Sequence, residues 1–163
     1  MGKSILDGKK FLAVDDEPDI LDVLEEEILD ACSHCAIDKA TTYEEAVKYL
    51  EKPDYDIVIL DIMGVRGFEL LEIAVKKKLK VVMLTAHALN PEALQRSYEM
   101  KARAYLPKDK LGEINSYLED VLTKDFESGW KRLYKKLRSF FDETFGADWE
   151  KETGIKGTGW GEY

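Results

Sequence analysis

Residues 11–16 are Phe-Leu-Ala-Val-Asp-Asp, a short apolar run that ends in two carboxylates. Similar runs of four apolar residues occupy positions 57–60 and 81–84, where Asp61 and Thr85 follow them. Continuous apolar runs of this length are typical of strands that are covered on both faces, as in a parallel sheet. Two weaker candidate strands lie at residues 36–40 and 102–106.

Five other stretches repeat apolar residues every three or four positions, which is the spacing of a helix with one buried face. They begin near residues 18, 43, 68, 91 and 111. Repeated alternation of strand and helix predicts an α/β fold: a doubly wound, five-stranded parallel sheet with right-handed crossovers.

The charge of the chain is unevenly distributed. The 163 residues carry a formal net charge of −9, but residues 124–163 hold eight basic and eight acidic side chains, so the excess lies in residues 1–123. We therefore expect one domain at 8–123 and a C-terminal helical extension at 124–163. The acidic balance argues against nucleic acid as a general partner. No apolar run reaches the length of a membrane span or signal peptide, so we expect a cytoplasmic protein.

Five polar residues coincide with the predicted strand ends: Asp15, Asp16, Asp61, Thr85 and Lys108. In such sheets, binding sites lie beyond the carboxyl ends of the strands. Any one of these residues could merely cap the next helix, but together they indicate a site. Three carboxylates repel one another unless a cation lies between them, and Mg²⁺ suits them because phosphate oxygens and waters complete its shell. A hydroxyl and an ammonium beside a nucleophilic carboxylate could then stabilise a transferring phosphoryl group.

These residues belong to four motifs that resemble the receiver domain of two-component response regulators, a flavodoxin-like (CheY-like) fold. The resemblance covers about residues 8–123. The motifs are Val-Asp-Asp-Glu-Pro at 14–18, Val-Ile-Leu-Asp-Ile-Met at 58–63, Leu-Thr-Ala at 84–86 and Tyr-Leu-Pro-Lys at 105–108.

The resemblance implies a role for each matched residue. Asp61 would accept a phosphoryl group from a sensor histidine kinase or a phosphotransfer protein. The magnesium ligands would be Asp15, Asp16, Asp61 and the backbone carbonyl of Met63.

The same resemblance implies how the phosphoryl group is sensed. Thr85 and Lys108 would contact it, and Tyr105 would be the switch aromatic. The output surface would consist of the fourth helix, fifth strand and fifth helix. Met63 and His87, two residues beyond Asp61 and Thr85, would tune phosphoryl lifetime; since a methionine cannot orient a water, we expect slow self-dephosphorylation.

Two loops depart from the family pattern. The segment 61–67 is about two residues shorter and lacks a proline, so we expect Gly64 and Gly67 to supply its turn. Lys108 is followed by Asp109 instead of proline, which leaves two alternatives: a trans peptide, or a cis peptide that costs about 2.5–4 kcal/mol.

The extension contains a basic amphipathic helix, predicted at 126–145. Three interpretations stay open: it packs on the domain or on a second subunit, it docks a partner and is released on phosphorylation, or it lies on an anionic membrane. The glycine-rich tail, 154–163, is expected to be loose. Cys32 and Cys35 are expected to be structural and reduced, because no further cysteine or histidine cluster would complete a zinc site.

The sequence therefore predicts a phosphoacceptor signalling protein, not an enzyme, with magnesium as cofactor. We expect no DNA-binding output domain. The downstream protein would bind either the predicted output surface or the C-terminal helix, with a homodimer left open. Two alternatives remain: a magnesium-dependent phosphohydrolase, disfavoured because position 63 is not a second aspartate, and a degenerate receiver that acts as a scaffold.

Overall fold

Five parallel strands form one sheet in the order β2-β1-β3-β4-β5. The computed structural model describes residues 4–52, 54–146 and 148–150. The strands are β1 (Lys10–Val14), β2 (Ala36–Ala40), β3 (Ile57–Asp61), β4 (Lys80–Thr85) and β5 (Ala104–Pro107). The predicted doubly wound sheet is confirmed, including its two weaker strands.

In the described residues, six α-helices connect and follow the strands. They are α1 (Pro18–Ala31), α2 (Tyr43–Leu50), α3 (Gly67–Lys76), α4 (Pro91–Glu99), α5 (Ile114–Thr123) and α6 (Phe126–Phe145). Side chains of Thr42, Asn90 and Asp125 accept hydrogen bonds from backbone N–H groups in the first turns of α2, α4 and α6. A 3₁₀ helix, Lys108–Glu113, precedes α5, which therefore begins later than the periodicity predicts.

The register of the sheet brings its carboxyl ends together. Asp61 pairs with Leu84, and Thr85 pairs with Pro107. Strands β1, β3 and β4 are buried almost throughout, as their continuous apolar runs predict. The residues that follow or end these strands consequently share one edge.

The two cysteines differ from expectation. Cys32 and Cys35 form a disulfide at the turn between α1 and β2, with 5.9 Å between their Cα atoms. The expectation of two reduced thiols is thus wrong for this structure. The turn that reverses the chain brings the two positions within bonding reach, which the spacing alone does not reveal.

Helix α6 packs on the surface formed by α4, β5 and α5. The indole N–H of Trp130 donates to the Ala102 carbonyl at 2.9 Å, and the Trp130 ring meets Tyr98 of α4 edge-on at 5.3 Å. On α5, Asp120 accepts hydrogen bonds from Arg132 at 3.0 Å and Lys136 at 2.7 Å. Packing on the same chain, the first of the three interpretations, is what the structure shows.

This packing covers the surface that the sequence predicts for output. The buried face of α6 consists of Trp130, Leu133, Tyr134, Leu137 and Phe141. The glycine-rich tail at 154–163 lies outside the described residues. Within the described part of the chain, none of the helices has the length and apolar character that crossing a bilayer requires.

Candidate phosphoacceptor site

The three aspartates meet beyond the ends of β1 and β3, as predicted. Asp15, Asp16 and Asp61 each offer a carboxylate oxygen, and these oxygens lie within 4.8 Å of one another. Asp15 and Asp61 are buried, whereas Asp16 is exposed. The cluster is thus open to solvent on one side only.

Lys108 enters the cluster from the end of β5. Its Nζ lies 2.9 Å from Asp15 Oδ2, 3.3 Å from Asp61 Oδ1 and 3.0 Å from Glu17 Oε1. The ammonium therefore bridges the two buried carboxylates. The Lys108–Asp109 peptide is trans, so this position of Lys108 needs no cis bond.

The protonation of the cluster reflects its burial. Desolvation, followed by the negative charge of Asp15, raises the pKa of Asp61 to about 7, although Lys108 opposes the shift. Burial also raises the pKa of Asp15. Burial alone would lower the pKa of Lys108, but its close contacts with the Asp15 and Glu17 carboxylates outweigh that effect and raise it. One ammonium does not neutralise three carboxylates, so the cluster retains a deficit of positive charge.

The donor set fits a magnesium ion. Asp15 Oδ2 is buried and receives no hydrogen bond of good geometry, even though Lys108 lies within ion-pair distance. Its neighbour, Asp15 Oδ1, accepts from the Glu17 N–H at 2.9 Å. An unsatisfied buried carboxylate oxygen beside two further carboxylates is the arrangement that a hard divalent cation completes.

The loop after Asp61 is shaped by its two glycines. Gly64 has a φ of +80°, and a Cβ there would lie 2.6 Å from the Asp16 carboxylate. A Cβ on Gly67 would lie 2.2 Å from the Asp61 carbonyl oxygen. Met63 exposes 52% of its surface, and its carbonyl accepts from the Val65 N–H at 2.9 Å. A carbonyl has two lone pairs, so this bond leaves one for a metal.

Thr85 and Tyr105 are joined through the β4–α4 loop. The Ala88 N–H donates to Thr85 Oγ1 at 2.7 Å, and the Tyr105 hydroxyl donates to the Ala88 carbonyl at 2.6 Å. The Asn90 N–H donates back to the Tyr105 hydroxyl at 3.2 Å. Tyr105 is fully buried, and its ring lies 6.1 Å from that of Phe141 in α6. His87 is exposed in the same loop.

Two residues in contact with the predicted site residues were not identified from the sequence. Glu17 belongs to the first motif, yet its contact with Lys108 had no separate signal, because acidic residues in a first helical turn are common for electrostatic reasons. Phe141 belongs to the apolar stripe of α6, and periodicity cannot tell which surface a stripe covers.

Comparison with known proteins agrees with this geometry. Residues 11–119 match the family model described as the response regulator receiver domain. The two-component response regulator ARR18 of Arabidopsis thaliana is 33% identical over 131 residues, which cover 77% of this chain and 20% of that protein. This chain thus spans about a fifth of the length of that relative.

Solved structures give the same result. The response regulator TrrA of Thermotoga maritima, in complex with Mg²⁺ and BeF, is 36% identical with a TM-score of 0.59, covering 70% of this chain and 99% of that one. A CheY-like receiver domain protein of Methanospirillum hungatei is 28% identical with a TM-score of 0.58, covering 69% and 95%. The chain therefore belongs to the response regulator receiver domain family of two-component systems.

Proposed function

We propose that Asp61 is the phosphoacceptor of this chain and that phosphorylation controls a protein-interaction switch. The observation that carries the proposal is the buried contact of Lys108 with both Asp15 and Asp61, beside the exposed carboxylate of Asp16. It combines a nucleophile, a positive charge and a cation site at one sheet edge, as phosphoryl transfer requires.

The transfer step is a displacement at phosphorus. An Asp61 carboxylate oxygen attacks the phosphorus of a phosphohistidine on a kinase or phosphotransfer protein. The O–P bond forms as the P–N bond breaks, and the electron pair of the P–N bond leaves on the donor's imidazole nitrogen. The product is an acyl phosphate on Asp61.

Each surrounding residue has a defined task in this step. Asp15, Asp16, Asp61 and the Met63 carbonyl would hold Mg²⁺, whose charge would neutralise phosphoryl oxygens. Lys108 orients the Asp61 carboxylate before transfer and can pair with a phosphoryl oxygen afterwards.

Thr85 ends β4, the strand that pairs with β3, and can supply a hydrogen-bond donor. Its hydroxyl oxygen accepts from Ala88, and its hydrogen can still be donated to a phosphoryl oxygen, because a hydroxyl both donates and accepts. Tyr105 stays behind this loop, out of contact with solvent.

The alternative hypothesis, a magnesium-dependent phosphohydrolase, has less support than the phosphoacceptor function. Met63, two residues after Asp61, is exposed and offers no group that activates water. We infer that the acyl phosphate persists as a signal and that the chain is not a turnover enzyme. The scaffold alternative is disfavoured by the complete set of acidic, hydroxyl and ammonium groups.

Intact-mass measurement tests the proposal. The full chain is incubated with acetyl phosphate and Mg²⁺, and we expect an increment of about 80 Da, one phosphoryl group. Asp61→Asn should abolish it, whereas Asp54→Asn, which changes an exposed aspartate paired with Lys10, should not. Labelling that survives Asp61→Asn would refute the assignment, and rapid multiple turnover would favour the hydrolase. No labelling of the wild-type chain would favour the scaffold.

A further inference from the structure

Helix α6 closes the α4–β5–α5 surface with its aromatic face. Phe126 and Trp130 contact Tyr98 of α4 at ring distances of 5.2 and 5.3 Å. Further along, Lys136 of α6 lies 4.6 Å above the Tyr117 ring of α5. The helix thus occupies a surface that a separate partner would need.

The same helix contacts Tyr105, the residue to which the family resemblance assigns the role of switch aromatic. Phe141 is fully buried, and besides Tyr105 its ring contacts Phe145 at 5.2 Å and Trp149 at 5.7 Å. Tyr105 is therefore held between this aromatic cluster on one side and the β4–α4 loop on the other. Docking of α6 consequently favours the buried position of the Tyr105 ring.

A continuous series of contacts connects this ring to Asp61's neighbour Thr85. The Tyr105 hydroxyl donates to the Ala88 carbonyl, and the Ala88 N–H donates to Thr85 Oγ1. Both bonds are buried and short, at 2.6 and 2.7 Å. The position of the Thr85 hydroxyl and that of the Tyr105 ring thus depend on one loop conformation.

The direction of the coupling follows from the chemistry of the hydroxyl. Thr85 can donate its hydrogen to a phosphoryl oxygen without giving up the bond from Ala88. A phosphoryl group would therefore reinforce the loop conformation that already bonds Tyr105. Ligands that favour the same state of a two-state element bind with positive linkage.

We propose that phosphorylation of Asp61 strengthens the docking of α6 on the α4–β5–α5 surface, through Thr85, Ala88, Tyr105 and Phe141. This inference rests on the proposed phosphoacceptor function. In this proposal α6 occupies the α4–β5–α5 surface of its own chain, and phosphorylation keeps it there. A protein that binds the α4–β5–α5 surface would compete with α6 and would be disfavoured by phosphorylation.

Hydrogen exchange of the full chain tests this linkage. The chain is treated with acetyl phosphate and Mg²⁺, and the phosphorylated fraction is measured by intact mass in the same sample. We expect peptides within residues 130–141 to exchange at least about fivefold more slowly in the phosphorylated chain, since allosteric coupling commonly spans about 5–150-fold. Tyr105→Phe, which keeps the ring and removes the hydroxyl, should still be labelled but lose most of this slowing.

Tyr117→Phe is the matched control. It removes the hydroxyl of a tyrosine in the same interface that lies outside the series of contacts, so the slowing should persist. If the wild-type chain is labelled while α6 exchange is unchanged or faster, the coupling is refuted and the phosphoacceptor function stands. Equal slowing in Tyr105→Phe would also refute the route through Tyr105. If no labelling occurs, both proposals fail.

Discussion

The ionised carboxylate of Asp61, which the proposed function requires, lowers the stability of the folded chain. Its carboxyl group is buried beside Asp15, and its pKa is raised to about 7. An aspartate in the unfolded chain ionises near pH 3.9. Between these values the folded chain holds a proton that the unfolded chain has lost, so ionising Asp61 works against folding unless a cation is bound.

Replacing Asp61 should therefore stabilise the metal-free chain at high pH. Between about pH 4 and 7 the folded state binds more protons, so the free energy of unfolding falls as the pH rises, and the loss is complete above pH 7. Three pKa units correspond to about 4 kcal/mol, an upper bound for the gain in Asp61→Asn at pH 8. Urea unfolding in EDTA at pH 5 and pH 8 measures it.

The comparison between the two pH values is the control. Asp61→Asn should gain clearly more stability at pH 8 than at pH 5, and saturating Mg²⁺ should reduce the difference because it stabilises the wild-type chain more than the variant, which lacks one carboxylate ligand. A gain that is the same at both pH values would contradict the assigned burial of the charge.

We expect Met63 to determine the lifetime of the acyl phosphate. Met63 is exposed, and its apolar side chain cannot hydrogen-bond an attacking water. Met63→Asn supplies an amide that can, so we expect dephosphorylation to accelerate, by as much as about 100-fold if the water is well positioned. The decay of the phosphoryl mass increment in Mg²⁺ measures the half-life. A wild-type half-life of seconds would contradict the prediction.

Helix α3 begins against the backbone of the phosphoacceptor. Gly67 opens the helix, and the space for its Cβ is filled by the Asp61 carbonyl oxygen at 2.2 Å. Gly67→Ala must displace either β3 or α3, and we expect a loss of about 3–5 kcal/mol in the free energy of unfolding. Chemical denaturation measures the loss.

Gly112 provides the control for this substitution. It lies in the 3₁₀ helix before α5, and a Cβ there meets no atom within 4 Å. Gly112→Ala should leave stability unchanged or raise it by about 0.4–1 kcal/mol, because it restricts the unfolded chain. Similar losses in both variants would show that close approach at Gly67 is not the cause.

Most elements were predictable from sequence because their signals are local. The apolar runs of β1, β3 and β4 and the proline-led starts of α1 and α4 needed only neighbouring residues. The start of α5 was not predictable, since its apolar spacing continues into the preceding 3₁₀ segment. The disulfide was missed as well, because it depends on the geometry of a turn.

The candidate site was predictable for a related reason. Parallel strands place their carboxyl ends at one edge, so Asp15, Asp61, Thr85 and Lys108 could be brought together without a structure. The surface that α6 covers could not be predicted, because the apolar face of α6 could pack on any apolar surface of the domain. Long-range packing was thus the part that sequence left open.

Across the whole molecule, the charge difference between domain and extension suggests an electrostatic attachment of α6. The contacts indicate otherwise. Arg132 and Lys136 both pair with the carboxylate of Asp120. Lys136 also donates to Ser116 Oγ at 3.4 Å, and Arg132 is largely exposed. The centre of the interface consists of buried aromatic and aliphatic side chains led by Trp130 and Phe141. Apolar burial, which scales with area and not with charge, should therefore dominate docking.

Docking of α6 should accordingly resist salt. Raising NaCl from 0.05 M to 1 M shortens the Debye length to about 3 Å and screens exposed ion pairs, yet we expect the exchange of peptides in residues 130–141 to change less than about twofold. Asp120→Asn should cost no more than about 1 kcal/mol of stability, because Arg132 is largely exposed and the amide oxygen can still accept hydrogen bonds. Trp130→Ala should cost about 3–5 kcal/mol because it empties a buried site. Salt-induced release of α6 would show instead that charge holds the extension to its domain.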